Sequence, residues 1–463
     1  MRPPGRRAEL LTFWQRIGLG RRELVGWALY DWANSAFFTI VVASVYPVFF
    51  STYAVGAGVP GNVATSRHAI ANTVALLVIA VAAPFLGALA DLRAAKKRFL
   101  AFFLAPGVAA TAALVLVGPG AWQLASALFV LANIGVVGTV IFYDSLLPHL
   151  ARGETELDRV SSAGFAVGYL GGGLLLALAV PVIANPTRFG LADAPAAMKA
   201  AFVAVAVWWA LFSIPLFRWV REPPLRLEAD EAPGMSPYRV AFTRLRETFG
   251  EIRRYRHAFA LLLAIVVYMD GVGTIIRMAA VFGAELGFSA GTLVGAVLLI
   301  QFLGVPFALF FGWLGSRIGA KRSIFLGLAV YLGVCGFGFF LRTPTHFYVL
   351  AVMVAMVQGG VQALSRSLFA SMIPRHKSSE FFGFFAIFEK FAGLMGPLVF
   401  AVVGLVTGDS RWAIVAIGAF FLVGAALLAR VDVEAGRAAA RVAEPDGNGP
   451  QSSVVSRPPE GSG

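Results

Sequence analysis

Asp270, Thr274 and Arg277 follow one another at i, i+4 and i+7, and Gln358, Gln362 and Arg366 follow the similar i, i+4 and i+8 spacing later in the chain. On a helix this spacing sets three side chains in one stripe. Tyr30 and Asn34 are four apart with Asp31 beside them, and Asn133 and Asp144 are eleven apart, close to three full turns. Carboxylates, guanidinium groups, amides and hydroxyls in this arrangement contain no paired nucleophile and base. They suit the binding of a polar or zwitterionic solute, or the uptake and release of a proton. Every one of them lies inside an apolar run. A charge at the centre of a bilayer costs about 2.5–3.5 kcal/mol on insertion scales, so each calls for a partner or a wet cavity. Asp270 and Arg277 either line such a cavity or neutralise each other. Asp144 and Arg366 are gate latches, solvated groups or solute contacts, and Asp31 is open between gate, proton site and packing. The four acids in apolar runs (Asp31, Asp144, Asp270, Glu389) exceed the three bases (Arg277, Arg366, Lys390). An acid left over titrates, as proton coupling requires.

The elements that hold these residues are membrane spans. Only 14% of residues are charged, 58% are hydrophobic and the mean hydropathy is +0.77, whereas soluble domains carry about 25% charge. About 20 apolar residues cross the hydrocarbon as a helix. Such runs are expected near 25–53, 68–90, 99–118, 121–143, 161–184, 199–219, 258–283, 291–314, 323–342, 346–372, 381–407 and 411–431, numbered spans 1 to 12. All must be helical, because lipid offers backbone groups no partners. Of the 38 Lys and Arg, 30 fall in or at the edge of segments on the side of the chain ends, five on the other side and three deep within spans. That bias places both termini in the cytoplasm. It also explains the net charge of +13 without nucleic acid. Arg2, Arg6 and Arg7 resemble a signal-peptide start, but the apolar stretch after Leu24 is too long, and it is expected to be a retained span. The domains expected are a basic N-terminus (1–24), a six-helix bundle (25–219), a cytoplasmic linker (220–257), a second six-helix bundle (258–431) and a disordered tail (432–463). In the linker, Pro237–His257 has helical spacing with basic residues between apolar ones. It is either an amphipathic helix on the anionic leaflet or a solvated segment.

The halves repeat. Gly87-Ala88-Leu89-Ala90-Asp91 with Arg93, Lys96, Lys97 and Arg98 follows span 2, and Gly312-Trp313-Leu314-Gly315-Ser316-Arg317 with Lys321 and Arg322 follows span 8. Tyr143-Asp144-Ser145-Leu146 before Pro148 corresponds to Ser365-Arg366-Ser367-Leu368 before Pro374. Secondary transporters are often built from such repeats, with the substrate site between them. The glycine-led loops resemble the loop signature of the major facilitator superfamily, with Leu92 at its Arg position and Ser316 in place of its second Asp. Tyr30-Asp31-Trp32-Ala33-Asn34-Ser35-Ala36-Phe37, Gln358-Gly359-Gly360-Val361-Gln362-Ala363-Leu364-Ser365-Arg366-Ser367 and Glu380-Phe381-Phe382-Gly383-Phe384 are similar to the autophagy-related vacuolar amino-acid effluxer family. Tyr169-Leu170-Gly171-Gly172 and Asp270-Gly271 add weaker likenesses.

The resemblance implies an all-α membrane protein of the major facilitator fold, two pseudo-symmetric six-helix bundles whose spans 1, 4, 7 and 10 line the path. It implies transport, in fungal relatives amino-acid export from the vacuole. Tyr30, Asn34, Asn133, Tyr268, Asp270, Thr274, Arg277, Gln358 and Gln362 are then candidates for substrate contact, and Asp31, Asp91, Asp144, Arg366 and Lys390 for coupling or gating. The fold implies that Asp91 meets the N-terminal end of span 11, with Ser316 as a weaker cap on span 5, while Arg93, Lys96 and Lys97 anchor to lipid head groups. It also implies that spans 5 and 8 touch, where Gly164, Gly168, Gly172, Gly291 and Gly295 permit close approach. The expected partners are a small solute, the bilayer and a coupling proton; the protein is expected as a monomer. No Walker loop, metal-spaced His pair or Gly-x-Ser-x-Gly elbow occurs, so no enzyme, cofactor or metal is expected. The rival to a secondary transporter is a transporter-like receptor or lipid-handling protein without flux.

Overall fold

The computed structural model describes residues 14–55, 60–225, 237–250, 254–393 and 395–444. Among them every element is helical. Eleven helices are long and apolar enough to cross a bilayer: Arg22–Ala54, Val63–Leu92, Lys96–Leu116, Trp122–Leu150, Glu154–Ala184, Ala194–Trp219, Arg256–Glu285, Ala290–Ile318, Ala320–Phe339, Pro344–Ser371 and Ser410–Ala429. These are spans 1 to 10 and 12. Span 11 is divided into Ser378–Ala392 and Met395–Thr407, so the expected unbroken helix over 381–407 is corrected to two half-helices. Span 1 also departs from a uniform helix: it widens to π turns over Phe37–Val45 and Phe50–Ala54 around Pro47. Proline lacks the N–H that an α turn needs, and wider turns absorb the mismatch.

Each half is closed at the face where span 1 begins and span 12 ends, called here the near face. The basic loop after span 2 does this in the first half: Lys97 Nζ donates to the carbonyls of Phe217 (2.8 Å) and Val220 (2.7 Å) at the end of span 6. Glu222 reciprocates by accepting from the backbone N–H of Lys96 (2.6 Å) and Lys97 (2.9 Å) at the start of span 3. In the second half Lys321 Nζ donates to the carbonyls of Ala429 (3.0 Å) and Val431 (2.7 Å) at the end of span 12. The sequence repeat is thus a repeat of helix capping, with ammonium groups at carbonyl ends where the helix dipole favours them.

The linker helix, Pro237–Gly250, packs Val240 and Ala241 on Phe85, Ala88, Leu89 and Leu92 of span 2 and Phe99 of span 3, leaving Phe242 exposed. Beyond span 12 a short helix, Val433–Val442, is capped by Asp432, whose carboxylate accepts from Ala435 N at 3.0 Å. This stretch was expected to be disordered; the apolar residues of one helical face (Gly436 and Ala440 are buried) settle on the near face and hold it. Residues 445–463 lie outside the described residues.

Candidate functional site

The two halves meet through span 5 on span 8 and span 2 on span 11, with spans 4 and 10 crossing to the opposite half's spans 11 and 5. Glycine sets the approach. A Cβ at Gly87 in span 2 would lie 2.2 Å from the Ser379 carbonyl oxygen, and one at Gly383 in span 11 would lie 2.6 Å from the backbone of Ala83 and Pro84. On the other side Gly312 of span 8 faces Ser162 and Gly304 faces Tyr169. The stripe Gly164, Gly168 and Gly172 does not face span 8 in the expected way. It lies against Trp27, Asp31, Ser35 and Thr39 of span 1, and only Gly172 also reaches Gln301 of span 8. Gly295 faces Tyr348 of span 10, and Gly291 meets only Ser289 of its own turn.

Two polar clasps join the halves near the near face. In the first, Asp91 Oδ2 accepts from the backbone N–H of Ser379 (2.9 Å) and Glu380 (3.2 Å) in the first turn of span 11. A carboxylate there caps free donors and faces the positive end of the dipole. Its other oxygen accepts from Lys96 Nζ at 2.5 Å, and the same ammonium donates to Ser378 Oγ (2.7 Å) and Ser379 Oγ (3.0 Å). Lys96 is only 3% exposed, which corrects its assignment to lipid head groups. Ser378 and Ser379 then donate to Ser145 O and Ser145 Oγ at the end of span 4, each at 3.0 Å.

In the second clasp Arg366 of span 10 reaches across to three spans of the other half. It pairs with Asp144 at 3.0 Å and Asp31 at 3.2 Å, and donates to Ser161 Oγ (2.9 Å) and Ser161 O (3.0 Å). Its guanidinium lies over the rings of Trp27 (4.8 Å) and Phe165 (4.6 Å). A buried charge of this kind is tolerated only when paired and hydrogen-bonded on all sides. Beside the guanidinium, the neighbouring Ser367 Oγ donates to Asp158 at 2.5 Å and Ser161 Oγ to the Ala363 carbonyl at 2.7 Å. Ser316 does not cap span 5; it accepts from Arg159 at 3.3 Å. Farther from the near face, Gln301 Nε2 donates to Thr39 Oγ1 at 2.6 Å.

The candidate substrate residues are not gathered around one point. Tyr30 is buried with its ring 4.9 Å from that of Tyr143, and Asn34 is buried one turn on. Asn133 donates to Asn72 of span 2 at 3.0 Å. Tyr268 shares a hydrogen bond with Ser365 at 2.6 Å, inside the second half. The stripe on span 7 faces the division in span 11: Asp270 Oδ2 accepts from Gly396 N at 2.8 Å, Arg277 donates to the Gly393 carbonyl at 3.2 Å, and Thr274 packs on Gly396. An acid thus meets the N-terminal end of one half-helix and a base the C-terminal end of the other, the polarity that helix dipoles favour. Gln358 and Gln362 are half-buried on span 10. The side chains of Glu389 and Lys390 lie outside the described residues.

Sequence reasoning singled out Asp31, Asp91, Asp144 and Arg366, and missed Lys96 as a clasp residue along with Asp158, Ser161, Ser378 and Ser379. Serines within apolar runs are common, and nothing in their spacing marks them. The repeated Ser145 and Ser367, each next to a span charge, are the one sequence signal that pointed toward them.

Comparison with known proteins agrees with this architecture. Solved structures of similar fold include the human organic anion transporter MFSD10 (TETRAN), with TM-score 0.64, 16% identity, and 88% of this chain and 99% of that one covered. The proton:xylose symporter XylE also aligns with TM-score 0.64, at 13% identity over 90% of this chain and 96% of its own. The uncharacterized MFS-type transporter YxiO of Bacillus subtilis is 36% identical over 88% of this chain and 94% of its own length. Autophagy-related protein 22 of Yarrowia lipolytica is 27% identical over 62% of this chain, an alignment that spans 52% of that longer protein. Residues 19–441 match the family described as vacuole effluxer Atg22 like. With both halves, the motifs of spans 1 and 10 and the clasps between them inside that match, the chain belongs to the Atg22-like family of major-facilitator membrane transporters.

Proposed function

We propose that the protein is a secondary active transporter that exports a small polar solute, with amino acids as the favoured class, across a bacterial-type cytoplasmic membrane by alternating access. The near face is the cytoplasmic one in this reading, as the distribution of Lys and Arg favours. The observation that carries the reading is the composition of the clasps. They join the halves by hydrogen bonds and ion pairs around Asp91 and Arg366. Polar groups can exchange protein partners for water when the halves part, whereas a large apolar interface would not reopen readily. The arrangement corresponds to a state closed on the cytoplasmic side. Asn34, Gln358 and Gln362, on spans 1 and 10 to the far side of the Arg366 clasp, are proposed solute contacts, with Tyr30 level with that clasp and Asp270 and Arg277 as a separate polar pair at the division of span 11. Asp31 and Asp144 both pair with Arg366, and Asp270 Oδ1 has Arg277 at 3.8 Å as its ion-pair partner and no hydrogen bond among the described residues. Asp270 is therefore the acid proposed to take up the coupling proton.

Counterflow in proteoliposomes tests this. Vesicles preloaded with an unlabelled amino-acid mixture should accumulate labelled amino acids, and Arg366→Lys should reduce the initial rate. Retention of labelled amino acids by the purified protein without any vesicle uptake would favour a receptor instead.

A further inference from the structure

Arg437, on the helix that follows span 12, touches both halves. Its Nη1 lies 2.7 Å from Glu154 Oε2, in the first turn of span 5, and 2.8 Å from Glu434 of its own helix. Its Nε donates to Ser371 Oγ at the end of span 10 at 3.3 Å. The other contacts described for the helix go to the second half. Gly436 packs against Met372 and His257, the Asp432 N–H donates to His257 Nδ1 at 3.1 Å, and Arg375 pairs with Glu444 at 3.7 Å. Arg437 is 14% exposed at its side chain and Glu154 51%.

We infer that the tail helix Val433–Val442 is a strap that rides with the second half and holds the near face shut through the ion pair between Arg437 and Glu154, a third clasp that must release in every transport cycle. The asymmetry supports this. Anchorage to the second half is by packing and several polar contacts, so it persists when the halves part. Attachment to the first half is by an ion pair whose carboxylate, Glu154, is half-exposed, so that water can replace the arginine there at modest cost. Glu154 stands four residues before Asp158 and seven before Ser161 on span 5, so the strap pulls on the helix that carries the Arg366 clasp. The ordering of this segment beyond the last span, which its composition did not suggest, then has a role in setting how often the near face opens.

The inference rests on the alternating-access reading, and the test separates the two. Hydrogen–deuterium exchange is followed on the full chain in lipid nanodiscs, in peptides covering Ser161 and Ser378–Glu380, which are buried between the halves. Glu154→Gln leaves the tail helix its contacts to the second half, and Arg437→Ala removes the arginine itself. Both should speed exchange in those peptides about two- to fivefold, the population shift an exposed to partly buried ion pair can hold. The double variant should go no further than either single one. Arg366→Lys serves as the reference that opens the near face directly. If Arg366→Lys speeds exchange and neither strap variant does, the strap is wrong and alternating access stands. If none of the three does, both readings fall. An increase in Arg437→Ala confined to the tail helix, with Glu154→Gln unchanged, also overturns the strap.

Discussion

Arg366 brings one positive charge to two carboxylates, and its planar fork is what allows both to be served. A guanidinium presents five donors in fixed directions, whereas an ammonium is a point charge on a flexible stem. Asp144, Asp31 and Ser161 take these donors at 3.0, 3.2 and 2.9 Å. Arg366→Lys keeps the charge but leaves at least one buried carboxylate underserved, a loss of about 2 kcal/mol, or roughly thirtyfold in the closed-to-open ratio. The expected outcome is a folded protein whose near-face peptides exchange faster and whose counterflow is slower. Unchanged exchange in Arg366→Lys would contradict the view that this clasp holds the near face shut. At this scale the sequence revealed the anomalous charges but not their meeting. Asp31 and Arg366 stand 335 positions apart, and intramembrane charge says only that a partner is needed. Lys96 was misread for a related reason. A lysine in a basic loop next to a span resembles a head-group anchor, and only the packing of span 11 over it buries it.

Spans 2 and 11 cross where their backbones nearly touch, and this closeness lets Asp91 reach the first turn of span 11. Gly87→Ala puts a methyl group 2.2 Å from the Ser379 carbonyl. Backbone cannot yield as a flexible side chain does, so the helices must part, at about 1–3 kcal/mol. A cysteine introduced as Ser145→Cys, beneath the first clasp, should then react with a water-soluble maleimide about tenfold faster in Gly87→Ala than with Gly87 retained. Equal rates would show that the crossing does not set the clasp. Small residues at four-residue spacing were legible in the sequence as a close-packing face, but not which helix they face. The stripe on span 5 serves span 1 within its own half, and the seam with span 8 uses Gly304 and Gly312 instead. The division of span 11 was illegible for another reason. Residues 381–407 are continuously apolar enough to cross a bilayer, and the division becomes visible only with Asp270 and Arg277 set against its two ends.

For the molecule as a whole, apolar length was enough to recover the all-helical fold and eleven of the twelve expected crossings as long apolar helices among the described residues, because lipid leaves the backbone no alternative to helices. The closure of the near face was not legible in the sequence, since the contacts that make it pair residues hundreds of positions apart. The clasps around Asp91, Arg366 and Arg437 all lie toward the near face, so loss of one should open that face and, if the halves move as rigid bodies, close the other. Paired distance measurements test this most directly. One label pair goes on the near face at Arg152 and Arg322, the other on the far face at Arg188 and Glu285, all exposed; the native Cys335 is buried. In Asp91→Ala the near-face distance should lengthen and the far-face distance shorten in the same fraction of molecules. A near-face distance that lengthens while the far-face distance stays fixed, or both unchanged, would contradict two halves rocking about a shared path.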